Sequence, residues 1–312
     1  MTIKLLKFAG EEFIIDDVYV AESNRKLVDF RSKEMKKNAI LLCTLFMLCL
    51  GTGLQAQEGE LHGAIGTVYN TKYVWRGFAI FEGRGGVHPF INLDLYGTGF
   101  GVNVTANMPL SGGYVNGERW DYNLYYRNTL FAGETYQTDY ISSYIYYNYP
   151  DHPSKGIPVA MQTNASLMEL NTLFSWPNLI GGGWTPRYVL VKLWPAESGS
   201  YSGSKSPVGG TASGFAHIFM LDYAMPMMCP LTNEKRTLNW HSELIYNDGV
   251  GPAGQNVDND WTNAVFGVST DMELMENTLF TPGIYYQITM DQSVNGNKDD
   301  YLWGGFTIKH LF

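Results

Sequence analysis

The side chains able to do chemistry in this chain of 312 residues are charged groups set two apart. Arg119, Asp121 and Arg127 share one parity, as do His241 and Glu243; Asp94, Arg187, Lys309 and Arg76 stand in similar mixtures of polar and apolar residues. In an extended chain, residues two apart lie on one face. Facing water, such groups form rings of fixed charge that bias which ions pass. Facing one another, they are ion pairs that hold a wall in shape. The residues alone leave both readings open. His241-Ser242-Glu243 contains the residue types of a hydrolase site, but neighbours on a strand point to opposite faces, so His241 and Ser242 cannot meet directly. The cysteines are Cys43, Cys49 and Cys229, with no Cys/His spacing suited to a metal. No cofactor is implied.

The elements that must position these groups are strands. Phe100, Val102, Val104 and Ala106 alternate with Gly101, Asn103, Thr105 and Asn107. Trp120, Tyr122, Leu124 and Tyr126 alternate with Arg119, Asp121, Asn123 and Arg127, and similar alternation runs through 238–246, 262–268 and 280–290. Gly97-Thr98-Gly99 reads as a tight hairpin. Twelve strands are expected, near 61–80, 87–96, 99–108, 118–131, 138–148, 158–165, 185–194, 214–224, 236–246, 260–271, 278–290 and 300–312. Ser166 and Glu169 fit a capping box, and Leu167, Leu170, Leu173 and Phe174 follow helical spacing, so a short helix is expected near 166–176. Pro177 and Gly181-Gly182-Gly183 would end it.

The N-terminal region adds a compartment. Met35-Lys36-Lys37-Asn38 is a short basic start, Ala39 to Leu50 an apolar run, and Gly51 to Gln57 a small-residue site. This is the layout of a secretory signal over 35–56, with cleavage expected after Ala56. An uncleaved anchor and lipidation at Cys49 are the weighed alternatives, the latter disfavoured by Leu48. Residues 1–34 are charged and mixed, and Met35 reads as the true start. The domain to be folded is 57–312. Of the 21 Lys and Arg, 8 lie in residues 1–56, as do 7 of the 30 Asp and Glu; the remainder carries 13 basic against 23 acidic groups. That balance excludes a nucleic-acid partner, which needs clustered Lys and Arg. Cys229 is left alone, so no intrachain disulfide forms within 57–312.

Aromatic residues make up 14% of the chain and glycine numbers 34, yet mean hydropathy is only −0.15. Apolar residues are spread by alternation, as a membrane β-barrel requires: lipid offers no hydrogen bonds, so a spanning sheet must close on itself with apolar residues outward. The last strand shows this plainly, with Leu302, Gly304, Phe306, Ile308, His310 and Phe312 on one face and Thr307 and Lys309 on the other. Phe306, Ile308 and the terminal Phe312 resemble the assembly signal read by the barrel-assembly machinery of bacterial outer membranes. Trp75, Trp120, Tyr146, Trp184, Trp240, Trp261 and Trp303 fit interfacial girdles. Placing the N-terminus in the periplasm makes 81–86, 109–117, 149–157, 195–213, 247–259 and 291–299 outer loops; two inner connections, 166–184 and 225–235, are anomalously long. Asp258, Asn259, Asp260, Asp299 and Asp300 form acidic loop clusters that could bind divalent cations or bridge lipopolysaccharide. Their spacing fits no calcium loop, and solvated charge is the plainer reading.

Tyr73-Val74-Trp75-Arg76-Gly77-Phe78, Tyr246-Asn247-Asp248-Gly249 and Gly267-Val268-Ser269 resemble motifs of the TorF-like porin family, most closely over 61–108 and 238–312. The resemblance implies an outer-membrane barrel and a pore, with neither substrate nor catalytic residues. The expectation is therefore an all-β transmembrane antiparallel up-and-down barrel of about twelve strands. Its partners would be outer-membrane lipid and lipopolysaccharide, and small polar solutes would pass a narrow charged lumen. A plugged structural or adhesive barrel and a lipid-modifying enzyme are the competing readings.

Overall fold

The computed structural model describes residues 60–81, 83–111, 118–150, 166–196, 214–228, 235–249, 259–291 and 300–312. The expected N-terminal extension, the signal segment, the strand near 158–165, Cys229, Asp258 and Asp299 lie outside the described residues.

Twelve strands close into one antiparallel barrel: β1 (His62–Asn70), β4 (Gly86–Asp94), β5 (Phe100–Pro109), β6 (Arg119–Leu130), β7 (Thr138–Asn148), β8 (Leu167–Ser175), β9 (Trp184–Pro195), β10 (Gly214–Met228), β11 (Lys235–Gly249), β12 (Asp260–Thr270), β14 (Thr278–Thr289) and β15 (Tyr301–Leu311). Each pairs with its neighbour in sequence order, and β1 pairs with β15 to close the ring. A short β13 (Met272–Met275) adds to β14 outside the ring, and β2 (Val74–Trp75) pairs with β3 (Phe78–Ala79) as a separate hairpin. The closing seam is finished by the chain end: Phe312 N donates to Gly63 O at 3.0 Å and Gly63 N to Phe312 O at 2.8 Å.

The alternation read from the sequence sorts the two faces. Outward are Ile65, Phe266, Ile284 and Leu302, all more than 45% exposed, and the same outer face carries Trp120, Tyr146, Trp184, Trp240 and Trp261. The face of β15 carrying Phe306, Ile308 and Phe312 is also outward. This is the apolar wall of a transmembrane barrel. Two expected girdle residues are elsewhere. Trp75 belongs to the β2–β3 hairpin, and Trp303 turns inward to stack on Tyr285 at 5.5 Å.

Three further expectations are corrected. Residues 166–176 form no helix; Leu167–Ser175 is β8, paired along its whole length with β7 and β9. Intrinsic helix preference is worth under about 1 kcal/mol per residue. A spanning barrel must satisfy every backbone group in the sheet, and that need outweighs the local preference. The two long inner connections vanish with it: the β8–β9 turn is 176–183, and β10 runs on to Met228. The expected first strand, 61–80, breaks at Asn70. Arg76 (φ 48°) and Gly77 (φ 88°) make a left-handed two-residue turn, so Val74 to Ala79 fold back as the hairpin rather than continue the wall.

Inward aromatics lie flat on the wall where the facing residue is glycine. A Cβ on Gly101 would stand 2.1 Å from the Tyr125 ring, and one on Gly267 2.3 Å from Tyr285. Gly101→Val is expected to destabilise the barrel by about 1–3 kcal/mol through overpacking. The check is a lower temperature for loss of the compact electrophoretic form; an unchanged temperature would contradict the packing of Tyr125 on Gly101.

Candidate functional site

The 71–85 connection leaves β1 and turns into the lumen. Arg76 reaches Glu169 on β8, five strands away around the ring, and the Gly77 carbonyl accepts from Gln287 Nε2 on β14 at 2.9 Å. A segment touching both sides of a closed ring lies inside it. The faces carrying Glu169 and Gln287 are therefore inner, and the ladder registers then place the rest.

Buried loops are rare because their polar groups need partners. This one has them. Arg76 Nη1 and Nη2 donate to the two Glu169 oxygens, each at 2.6 Å. Glu169 is fully buried and also accepts from Tyr147 Oη at 2.9 Å and Asn171 Nδ2 at 2.6 Å. Burial works against the Arg76 charge, but the Glu169 carboxylate outweighs it and holds the guanidinium above its ordinary range. Trp75 takes both guanidinium groups on its ring, Arg76 and Arg119 each 4.8 Å from its centroid, and Arg119 also lies 4.7 Å from that of Tyr147. Arg119 donates to Asp121 at 2.7 and 2.8 Å and to Tyr73 Oη at 2.7 Å. Burial pushes the Tyr73 hydroxyl up, so it stays protonated while accepting from Arg119. Behind it, Tyr73 packs on Phe81 and His88, and His88 Nδ1 meets Asn107 Oδ1 at 2.9 Å. The hairpin is thus anchored to β4–β8 at the end of the barrel bearing the longer connections.

The sequence candidates fall into two groups at different depths. Arg76, Arg119 and Asp121 belong to the hairpin seat. Asp94, Arg127, Arg187, His241, Glu243 and Lys309 stand on the inner wall toward the short-turn end. Arg127 pairs with Asp94. Asp222 holds two partners, Arg187 Nη1 at 2.9 Å and His241 Nδ1 at 2.7 Å, while Glu243 stands 3.9 Å from His241 Nε2. His241 faces inward and Ser242 outward, bonded to the Leu221 carbonyl. A cavity of about 460 Å³ opens here, bordered by Thr185, Asp222, Asn239, His241, Ser269 and Tyr285.

Glu169, Tyr147 and Asp222 were missed in the sequence. Tyr147 stands between Ile145 and Tyr149 and Asp222 between Met220 and Ala224, so no polar stripe marks either inner face, and the spacing around Glu169 suits a helix cap. Among the described residues no group of three or more His, Cys, Asp or Glu is placed to hold a metal.

No protein family and no curated protein matches the chain. Among solved structures, the chain is similar to the NanC porin, at 11% identity over 81% of this chain and 98% of that one, with a TM-score of 0.43. An outer membrane channel from Pseudomonas putida F1 matches at 11% identity over 83% and 99%, TM-score 0.43. An anion-selective porin from Comamonas acidovorans matches at 11% over 81% and 99%, TM-score 0.31. At these values the geometry of this chain alone carries the functional reading.

Glu169→Gln is expected to cost about 3–5 kcal/mol, because it leaves the Arg76 charge buried without its counter-ion. Adding Arg76→Met should recover much of that loss. Urea unfolding of single and double variants checks this, and additive losses would contradict the pairing.

Proposed function

We propose that the protein is a channel of the bacterial outer membrane that passes small polar solutes or ions, with the inward hairpin as its constriction. The observation that carries this reading is the hairpin's placement: it crosses the lumen of a closed barrel, strongly anchored on the β6–β8 side and bonded to β14 through Gln287. A tightly plugged barrel would be filled at both depths. Here the half toward the short turns keeps a cavity of about 460 Å³ edged by Asp222 and His241 together with Tyr223 and Trp240. Twelve strands fall between small barrels filled by side chains and wide porins, so an inserted segment decides the bore. One of the TorF-like motifs, Tyr73 to Phe78, falls on the hairpin proposed as the constriction.

In this reading Arg127 borders the passage and Arg119 does not. The Arg127 side chain is 55% exposed and that of Arg119 only 2%, packed beneath Trp75 and Tyr147. Outward-facing Phe306, Ile308 and Phe312 would serve assembly.

Purified protein in a planar bilayer should give discrete conductance steps, and Arg127→Ala should shift the reversal potential toward cation selectivity. A compact, correctly assembled barrel with no conductance would sink the channel reading in favour of a plugged one. An unchanged reversal potential would remove Arg127 from the passage.

A further inference from the structure

One titratable ring borders the cavity and stands between two carboxylates. His241 on β11 faces Asp222 on β10 across the ladder, with Nδ1 2.7 Å from Asp222 Oδ1. The other Asp222 oxygen accepts from Arg187 Nη1 on β9 at 2.9 Å. Held by these two donors, Asp222 is a carboxylate, which only accepts, so His241 Nδ1 carries a proton in either charge state of the ring. The proton that comes and goes is therefore the one on Nε2. That atom stands 3.9 Å from Oε2 of Glu243, two residues along the same face of β11. The strands on the other side add no charge: β12 presents Gly267 and Ser269, and β14 presents the Tyr285 phenol.

We infer that His241 is a selectivity-determining residue of the passage and makes its preference between cations and anions depend on pH. This rests on the channel reading. The charge of this stretch of wall follows from its four groups. Arg187 and Asp222 cancel. A protonated His241 cancels Glu243, and the wall is neutral. A neutral His241 leaves the Glu243 carboxylate uncompensated, and the wall carries one negative charge. Arginine keeps its charge at any working pH, whereas an imidazole ordinarily changes its own between acid and neutral pH. Asp222 and His241 edge the cavity, so the change is made beside the space that ions would occupy. At about 7 Å through water, one negative charge raises the local level of a cation about threefold and lowers that of an anion as much. Other histidines among the described residues are placed differently. His88 is buried against Tyr73, His217 and His310 face outward, and His62 stands opposite Asp94 at the start of β1.

The test is the reversal potential of the protein in a planar bilayer under a KCl gradient, read from about pH 5.5 to about pH 9.5. Salt is kept near about 0.1 M, where charges are screened only beyond about 10 Å. The expected result is a cation-to-anion permeability ratio that rises with pH by between about threefold and about ninefold. His241→Gln should hold the ratio at its high-pH value throughout, and His62→Gln should leave the rise in place. If His241→Gln does not assemble, Glu243→Gln makes the test: the rise remains, but the ratio is displaced toward anions at every pH. Conductance with a ratio that does not change with pH would overturn the role of His241 and leave the channel standing. So would a rise that assembled His241→Gln retains or His62→Gln abolishes, or an undisplaced ratio in Glu243→Gln. Absence of any conductance from the assembled barrel would overturn both.

Discussion

The structure depends on one constraint: every backbone group of a spanning strand must find its partner within the sheet, because lipid supplies none. The twelve-strand ring satisfies it by pairing β1 with β15 and completing the seam with the Phe312–Gly63 bonds. Closure fixes which face each residue takes, since a one-residue slip would turn the apolar wall inward. It also creates an enclosed space, and in that space the 71–85 connection can bury itself. The hairpin is a consequence of the barrel in this sense. Without strands β4–β8 curving around it, Arg76 would be a charge on a surface loop, where ion pairs are worth little.

Within the lumen, charge is organised by depth. At the end with longer connections, two arginines and two carboxylates are tied to each other through Trp75, Tyr73 and Tyr147, and their role is to hold the hairpin. Nearer the short turns, Arg127 pairs with Asp94 and Arg187 with Asp222, and Asp222 and His241 edge the cavity. In the proposed channel, the two readings that charged residues two apart allow, a ring that biases ions and a set of ion pairs that braces a wall, would occupy different levels of one barrel.

Much of the wall was legible from the residues. Period-two alternation in 100–107, 119–127 and 280–290 gives the correct faces because each such strand has lipid on one side and lumen on the other. The strand count also holds. Two elements were not legible for physical reasons. In β8, Leu167, Leu170, Leu173 and Phe174 divide between the inner and outer faces, so their spacing suits helix and strand alike. The polar Glu169 looked like a cap because its partner, Arg76, lies 93 residues away. In 71–80, Val74 and Phe78 shared Arg76's parity and blurred the alternation. The signal available was the Arg76-Gly77 pair, since glycine at the second position of a two-residue turn marks a hairpin.

The central claim is that the hairpin, not the barrel wall, sets the passage. The measurement that tests it most directly is single-channel conductance after residues 74–79 are replaced by a Gly-Ser linker, compared with the intact protein. If the hairpin is the constriction, the variant assembles as a barrel and its conductance step grows severalfold. An assembled barrel whose step is unchanged would contradict the account.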